Sequence, residues 1–197
     1  MMMMRGYIRW IDGMNWWIGR FAMFGLFVLM GILLWSSISK TFFLPSLWTL
    51  EMAQFVMVAY YILGGPYSIQ LGSNVRMDLI YSELSDRRKA WLDAFTVFFL
   101  IFYLGVMIYG GLASLAYSLG NFMDPPLPWF GRLIHAFVTG GASAASDQLG
   151  YLERSPSSWK PIMWPIKLIT VIGLFLMLLQ VLSEFFKDIL RLRGEEI

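Results

Sequence analysis

The sequence has 197 residues, 58% of them hydrophobic and only 14% charged, and its mean hydropathy is +0.62. A water-soluble domain carries about a quarter charged residues, so an ordinary soluble enzyme is excluded. The net charge of +2 is too small for a nucleic-acid binder, and the absence of cysteine removes disulfides, thiolate metal sites and cysteine nucleophiles.

In chain order, residues 5–19 place Ile8, Ile11, Met14 and Ile18 at helical spacing with tryptophans between them. That pattern predicts a helix lying in the membrane interface. Residues 21–39 are uncharged, which is long enough for a membrane span at about 20 residues per crossing. This run is too long for a signal-peptide core and no A-x-A site follows it, so an uncleaved N-terminus is expected.

A second uncharged stretch follows Glu51 and reaches nearly to Arg76, a third runs from Ala94 to Met123, and a fourth covers about 162–183 with only Lys167 inside it. Near a helix end a lysine can snorkel to the headgroups, so Lys167 does not veto the span. The prediction is an all-α polytopic membrane protein forming a single domain over 1–197. Its four transmembrane helices lie at about 16–39, 48–72, 92–119 and 162–184, and a long non-cytoplasmic loop occupies 120–160. Within that loop, PWFGRLIHAFV puts Trp129, Leu133, Ile134 and Phe137 on one helical side and predicts a short amphipathic helix. The stretches GGASAAS and SPSS read as flexible linker.

Lys and Arg set the orientation. Four spans place ten of them (Arg5, Arg9, Arg20, Arg76, Arg87, Arg88, Lys89, Lys187, Arg191, Arg193) on the side of the termini and five on the other. Both termini are therefore expected to be cytoplasmic.

Candidate chemistry is sparse. The lone histidine, His135, reads as a loop residue, and one histidine without cysteine does not make a zinc site. There is no P-loop, nucleophile elbow or carboxylate pair at catalytic spacing, so no catalytic residue, metal or cofactor is expected. The breaker cluster Gly64-Gly65-Pro66 falls near the end of the second span and predicts a kink there.

What remains is partner chemistry. Trp48, Glu51, Gln54, Val58, Tyr61 and Gly65 share one side of the second helix, and a carboxylate and an amide facing lipid would be costly. That side either meets another protein or makes internal contacts, such as Glu51 with Lys40 or Lys167. Gly110, Ser114 and Ser118 form a small-residue stripe suited to close packing within or outside the bundle. Gln180, Glu184, Lys187 and Arg191 continue one face of the fourth helix, its outer part solvated. Arg20, Arg76, Arg87, Arg88 and Lys89 are candidates for phospholipid headgroups, each worth about 1 kcal/mol near an anionic surface.

Four pieces of the sequence together resemble a known family: Trp48-x-x-Glu51, Gly64-Gly65-Pro66-Tyr67, NVRMDLIY from Asn74 to Tyr81, and RKAWLD from Arg88 to Asp93. The segment from Trp159-Lys160-Pro161 to Gln180 fits as well. The likeness is to the small membrane subunit of tripartite ATP-independent periplasmic (TRAP) transporters, nearest the mannitol/chloroaromatic branch, and covers most of 10–120 and 159–190. It implies a four-helix scaffold in a bacterial inner membrane, bound to a large multi-span subunit that carries the transport path. A periplasmic substrate-binding protein delivers an organic acid, a sodium gradient drives uptake, and lipid fills the seam between the membrane subunits. The sequence departs from the family at Asn74, where relatives commonly have His, and in the length of the 120–160 loop, which is expected to touch the binding protein or the rim of the large subunit. A four-helix anchor for another complex, such as a redox enzyme, is the alternative reading.

Overall fold

The computed structural model describes residues 2–72 and 85–193. It is all-helical: α1 (Met2–Met23), α2 (Gly25–Phe42), α3 (Thr49–Gln70), α4 (Asp86–Ser118), α5 (Pro126–Ser146) and α6 (Trp164–Leu192). Among the described residues the only β-type pairing is one isolated antiparallel bridge, Arg154 with Ile162. The segment 73–84, with Asn74, Arg76 and the NVRMDLIY motif, lies outside the described residues, as does the Arg87 side chain.

Three helical runs among the described residues are long and apolar enough to cross a membrane: Met3–Phe42, Phe95–Ser118 and Trp164–Leu192. Helix α3 has 22 residues, about 33 Å at 1.5 Å per residue. Its Glu51, Gln54 and tyrosines make it more polar than the other three. Helix α2 buries only Ile32 and Ser39, leaving Phe27, Val28, Leu33, Leu34 and Ile38 exposed. Lipid tails are as apolar as leucine, so this exposure suits a bilayer and would not suit water.

The chain forms two compact units. The first comprises residues 1–26, 60–106 and 173–197. Here α1 turns Ile8, Ile11, Asn15 and Ala22 inward. The expected stripe is thus kept at Ile8 and Ile11, but Met14 and Ile18 are only half-buried. The helix break falls at Phe24, whose N–H reaches Phe21 O at 3.1 Å. Helix α3 continues four residues past Pro66 to Gln70. Proline has no N–H to give the carbonyl four residues back, and this carbonyl, Ile62 O, faces Gly173 of α6. A Cβ on Gly173 would lie 3.0 Å from that oxygen, so the absence of a side chain sets the spacing of α3 and α6 in this unit.

The second unit comprises residues 27–59 and 107–172. A chain of hydroxyls joins the end of α2 to the start of α3. Ser39 and Ser46 oxygens are 3.1 Å apart, Ser46 donates to Thr49 at 3.1 Å, and Thr49 donates to Ser36 at 3.2 Å. These groups satisfy one another where the α2–α3 turn would otherwise leave polar atoms buried.

The linker expectation fails for GGASAAS, which is helical and forms the end of α5. Gly141, at φ 72°, kinks that helix. Beyond it, Ser143 and Ser146 hydroxyls bond back to Gly140 O and Ser143 O, and the high helix propensity of Ala142, Ala144 and Ala145 offsets the glycines. The SPSS stretch is ordered too: Ser155 N–H reaches Pro161 O at 2.9 Å, and Met163 N–H reaches Glu153 O at 3.1 Å.

Candidate functional site

In the first unit a polar seam joins α1 to α6. Asn15 Nδ2 donates to Gln180 Oε1 at 2.7 Å. Gln180 Nε2 donates in turn to Asp12 Oδ1 at 2.9 Å and to Glu184 Oε1 at 3.1 Å. Ser183 Oγ adds a bond to Asp12 Oδ1 at 3.0 Å. Lys187 bridges the two carboxylates, 2.6 Å from Asp12 Oδ2 and 2.7 Å from Glu184 Oε1. Gln70 of α3 donates to the Asp12 carbonyl at 3.2 Å, and Tyr7 donates to Leu179 O at 3.1 Å.

Neither Asn15 nor Gln180 is more than 1% exposed. The expectation of a solvated outer part fails at Lys187, whose side chain is 12% exposed beside Asp12 of α1. Only Arg191, with its side chain 58% exposed, remains largely in solvent. Sequence inspection missed this seam. The available signal was Asn15 and Asp12 interleaved with the inward isoleucines of α1.

In the second unit Glu51 occupies the first turn of α3, is 7% exposed and accepts a hydrogen bond from Ser155 Oγ. Its other oxygen, Oε2, is buried with no hydrogen-bond partner. The contact is therefore internal, but with neither expected lysine. Lys167 pairs with Glu153 and donates to Ser114 O at 3.3 Å. That ion pair gives the charge of Lys167 a partner within the protein.

The proposed α3 side divides. Glu51 turns inward. Leu47, Leu50, Gln54, Met57 and Tyr61 point outward at spacings of three and four, and Trp48 is also exposed. Tyr61 lines a groove of about 370 Å³ with Tyr60, Gly64, Tyr67, Ser68 and Gly19. Gly65 instead faces Met177.

Of the headgroup candidates, Arg20 lies over the Trp16 ring at 4.4 Å, Arg88 is exposed and Lys89 is half-buried. The small-residue stripe does not make one contact. A Cβ added at Gly110 would meet nothing within 4 Å, Ser114 is exposed, and Ser118 is fully buried with its hydroxyl on Leu115 O at 2.7 Å. His135 is exposed on α5. No group of three metal-ligating side chains occurs among the described residues.

The described residues are largely helical, with three runs long and apolar enough to cross a membrane, and this defines an integral membrane protein. The family described as Tripartite ATP-independent periplasmic transporters, DctQ component, matches residues 29–146. This is more than half of the chain, and the protein belongs to that family: it is the small membrane component of a TRAP transporter. The family is one of transporter subunits, not of enzymes. No curated protein and no solved structure matches.

Proposed function

We propose that this chain is the static scaffold subunit of a sodium-coupled TRAP importer of organic acids, of the mannitol/chloroaromatic-like branch, in a bacterial inner membrane. In this reading it crosses the bilayer four times as one domain, with α3 as the second span and both termini cytoplasmic. It binds no cofactor. The large multi-span subunit carries the substrate, and a periplasmic binding protein delivers it.

The observation that supports this reading is Gln54. Its amide stands on the exposed side of α3 between Leu50, 69% exposed, and Met57, 41% exposed. A bare amide in hydrocarbon is costly and marks a protein contact. Gln54 therefore marks a side offered to the large subunit, Trp48 and Tyr61 are further exposed candidates for that contact, and Glu51 takes the bundle-defining role. Arg20, Arg76, Arg87, Arg88 and Lys89 hold the headgroup layer.

The test is to tag the chain in its native host, purify it in mild detergent and identify stoichiometric companions by mass spectrometry. One large polytopic subunit is expected. Its reconstitution with this chain and the binding protein should give uptake driven by a sodium gradient. Recovery of redox subunits would replace this reading with that of a membrane anchor.

A further inference from the structure

Helix α5 carries three distinct sectors. Trp129 is buried, at 5% exposure, with Leu133 and Ala136 half-buried on the same side. Leu127, Ile134, Phe137 and Val138 form a second sector, each between 58% and 77% exposed. Arg132, His135 and Thr139 form a third, also exposed. With 3.6 residues per turn, the three sectors sit roughly a third of a turn apart.

One sector packs on the protein, so the helix has two exposed sides, one strongly apolar and one polar, where Arg132 pairs with Asp124. Four large apolar side chains on one free side make a patch that water does not favour. The helix contains no Asp or Glu. The apolar anchors end before the Gly141 kink, beyond which only small residues follow.

Position identifies the occupant. The apolar run of α4 ends at Ser118, and α5 begins eight residues later, held close by the contact between Gly120 and Gly150. A groove of about 410 Å³, lined by Tyr109, Ala113, Tyr117, Phe122 and Pro126, runs from the flank of α4 to the start of α5. Tyr109 and Tyr117 on that flank are exposed, as a lipid-facing surface of a span would be, and α5 starts beside them at this end of the span.

We propose that α5 lies on the bilayer surface, with Leu127, Ile134, Phe137 and Val138 set among acyl chains at headgroup depth. Arg132 and His135 stand on the side toward phosphates and water. The occupant of this face is phospholipid, the arrangement of an interfacial amphipathic helix. The loop between the third and fourth spans is thereby a membrane-seated element, and its free apolar side needs no protein partner. This inference does not depend on the identity of the large subunit.

The chain lacks cysteine, so single spin labels can be placed without background. The full-length chain, alone and with its co-purified subunits, is reconstituted in vesicles of phosphatidylethanolamine and phosphatidylglycerol. Labels at Ile134→Cys and Val138→Cys are expected to be relaxed severalfold more by oxygen than by a water-soluble nickel chelate, and labels at His135→Cys and Thr139→Cys the reverse. Leu127→Cys repeats the measurement if either apolar-side variant does not fold. Nickel access at the apolar positions would place that face in water and overturn the proposal. Loss of access to both reagents once the other subunits are present would put a protein there, and would overturn it equally.

Discussion

Asn15 and Gln180 lie 165 residues apart and meet in a 2.7 Å side-chain hydrogen bond at the fully buried seam of α1 and α6. Gln180 is the hub, because its oxygen accepts from Asn15 while its nitrogen serves Asp12 and Glu184. Gln180→Leu removes one bond each from Asn15, Asp12 and Glu184; Asp12 keeps Ser183 and Lys187, Glu184 keeps Lys187, and the buried Asn15 amide is left unsatisfied at about 1–3 kcal/mol. The variant should melt well below the parent in detergent. Asn15→Leu alone should cost less, and the double variant should fall short of the sum, since the two share one bond. An additive result would show that the seam does not act as a network.

Lys187 offers a second test of that seam. It contacts both Asp12 and Glu184, with its side chain 12% exposed. Lys187→Met should leave two half-buried carboxylates facing each other and lower thermal stability. Because the groups are partly shielded from solvent, the parent's stability should change little between low and moderate salt. Equal stability of Lys187→Met and parent would remove the ion pairs from any structural role.

Two glycines separate backbone from side-chain crowding. At Gly173 an added methyl meets Ile62 side-chain and backbone atoms, the latter at 3.0 and 3.2 Å, whereas at Gly65 it meets only the end of Met177. Backbone cannot step aside and a methionine tip can. Gly173→Ala should therefore cost about 1–3 kcal/mol as overpacking, and Gly65→Ala much less. Melting curves of the two purified variants give the comparison, and the reverse order would refute it.

The spanning helices were readable because each is a long apolar stretch, and the inward Ile8 and Ile11 because they recur at helical spacing. The contacts that hold the helices together were not. Asp12 and Asn15 carry no local sign of a partner, the outer part of the Gln180–Arg191 face reads as solvated, and only the fold links Asn15 to Gln180, Gln180 to Asp12 and Asp12 to Lys187 within 3 Å. Ser155, which holds Glu51, sits 104 residues away in a stretch composed like a linker. The PWFGRLIHAFV helix was legible as amphipathic, but composition could not split its apolar side into Trp129, packed, and Ile134 and Phe137, exposed. Periodicity assigns residues to a face, and only tertiary packing decides what covers it.

Glu51 keeps one oxygen on Ser155 and buries the other without a partner. A carboxylate so placed gains little to offset the loss of hydration. Glu51→Gln retains an acceptor for Ser155 and removes the charge, so the isolated subunit should be as stable as the parent or more so. Ser155→Ala should destabilise it by leaving the carboxylate wholly unsatisfied. Both are read by thermal unfolding, and a marked loss of stability in Glu51→Gln would mean that the charge itself is needed.

The excursion between α4 and α6 closes on itself at its root. Gly150 N–H bonds Leu119 O and Glu153 N–H bonds Ser118 O, both at 3.0 Å. Gly120, at φ 93°, touches the Gly150 backbone so closely that any side chain would collide. Replacing residues 121–149 with a short glycine–serine turn removes α5 while sparing those bonds, the Lys167–Glu153 pair and the Ser155–Glu51 contact. That variant should insert, purify as a single species and melt near the parent temperature. Excision of 130–155 removes Glu153 and Ser155 as well, strands Lys167 and Glu51, and should be far less stable. Size-exclusion profiles and melting curves of the two deletions distinguish them. Equal damage in both would mean that the packing of Trp129 on α5, rather than the clamp at its root, holds this end of the second unit together.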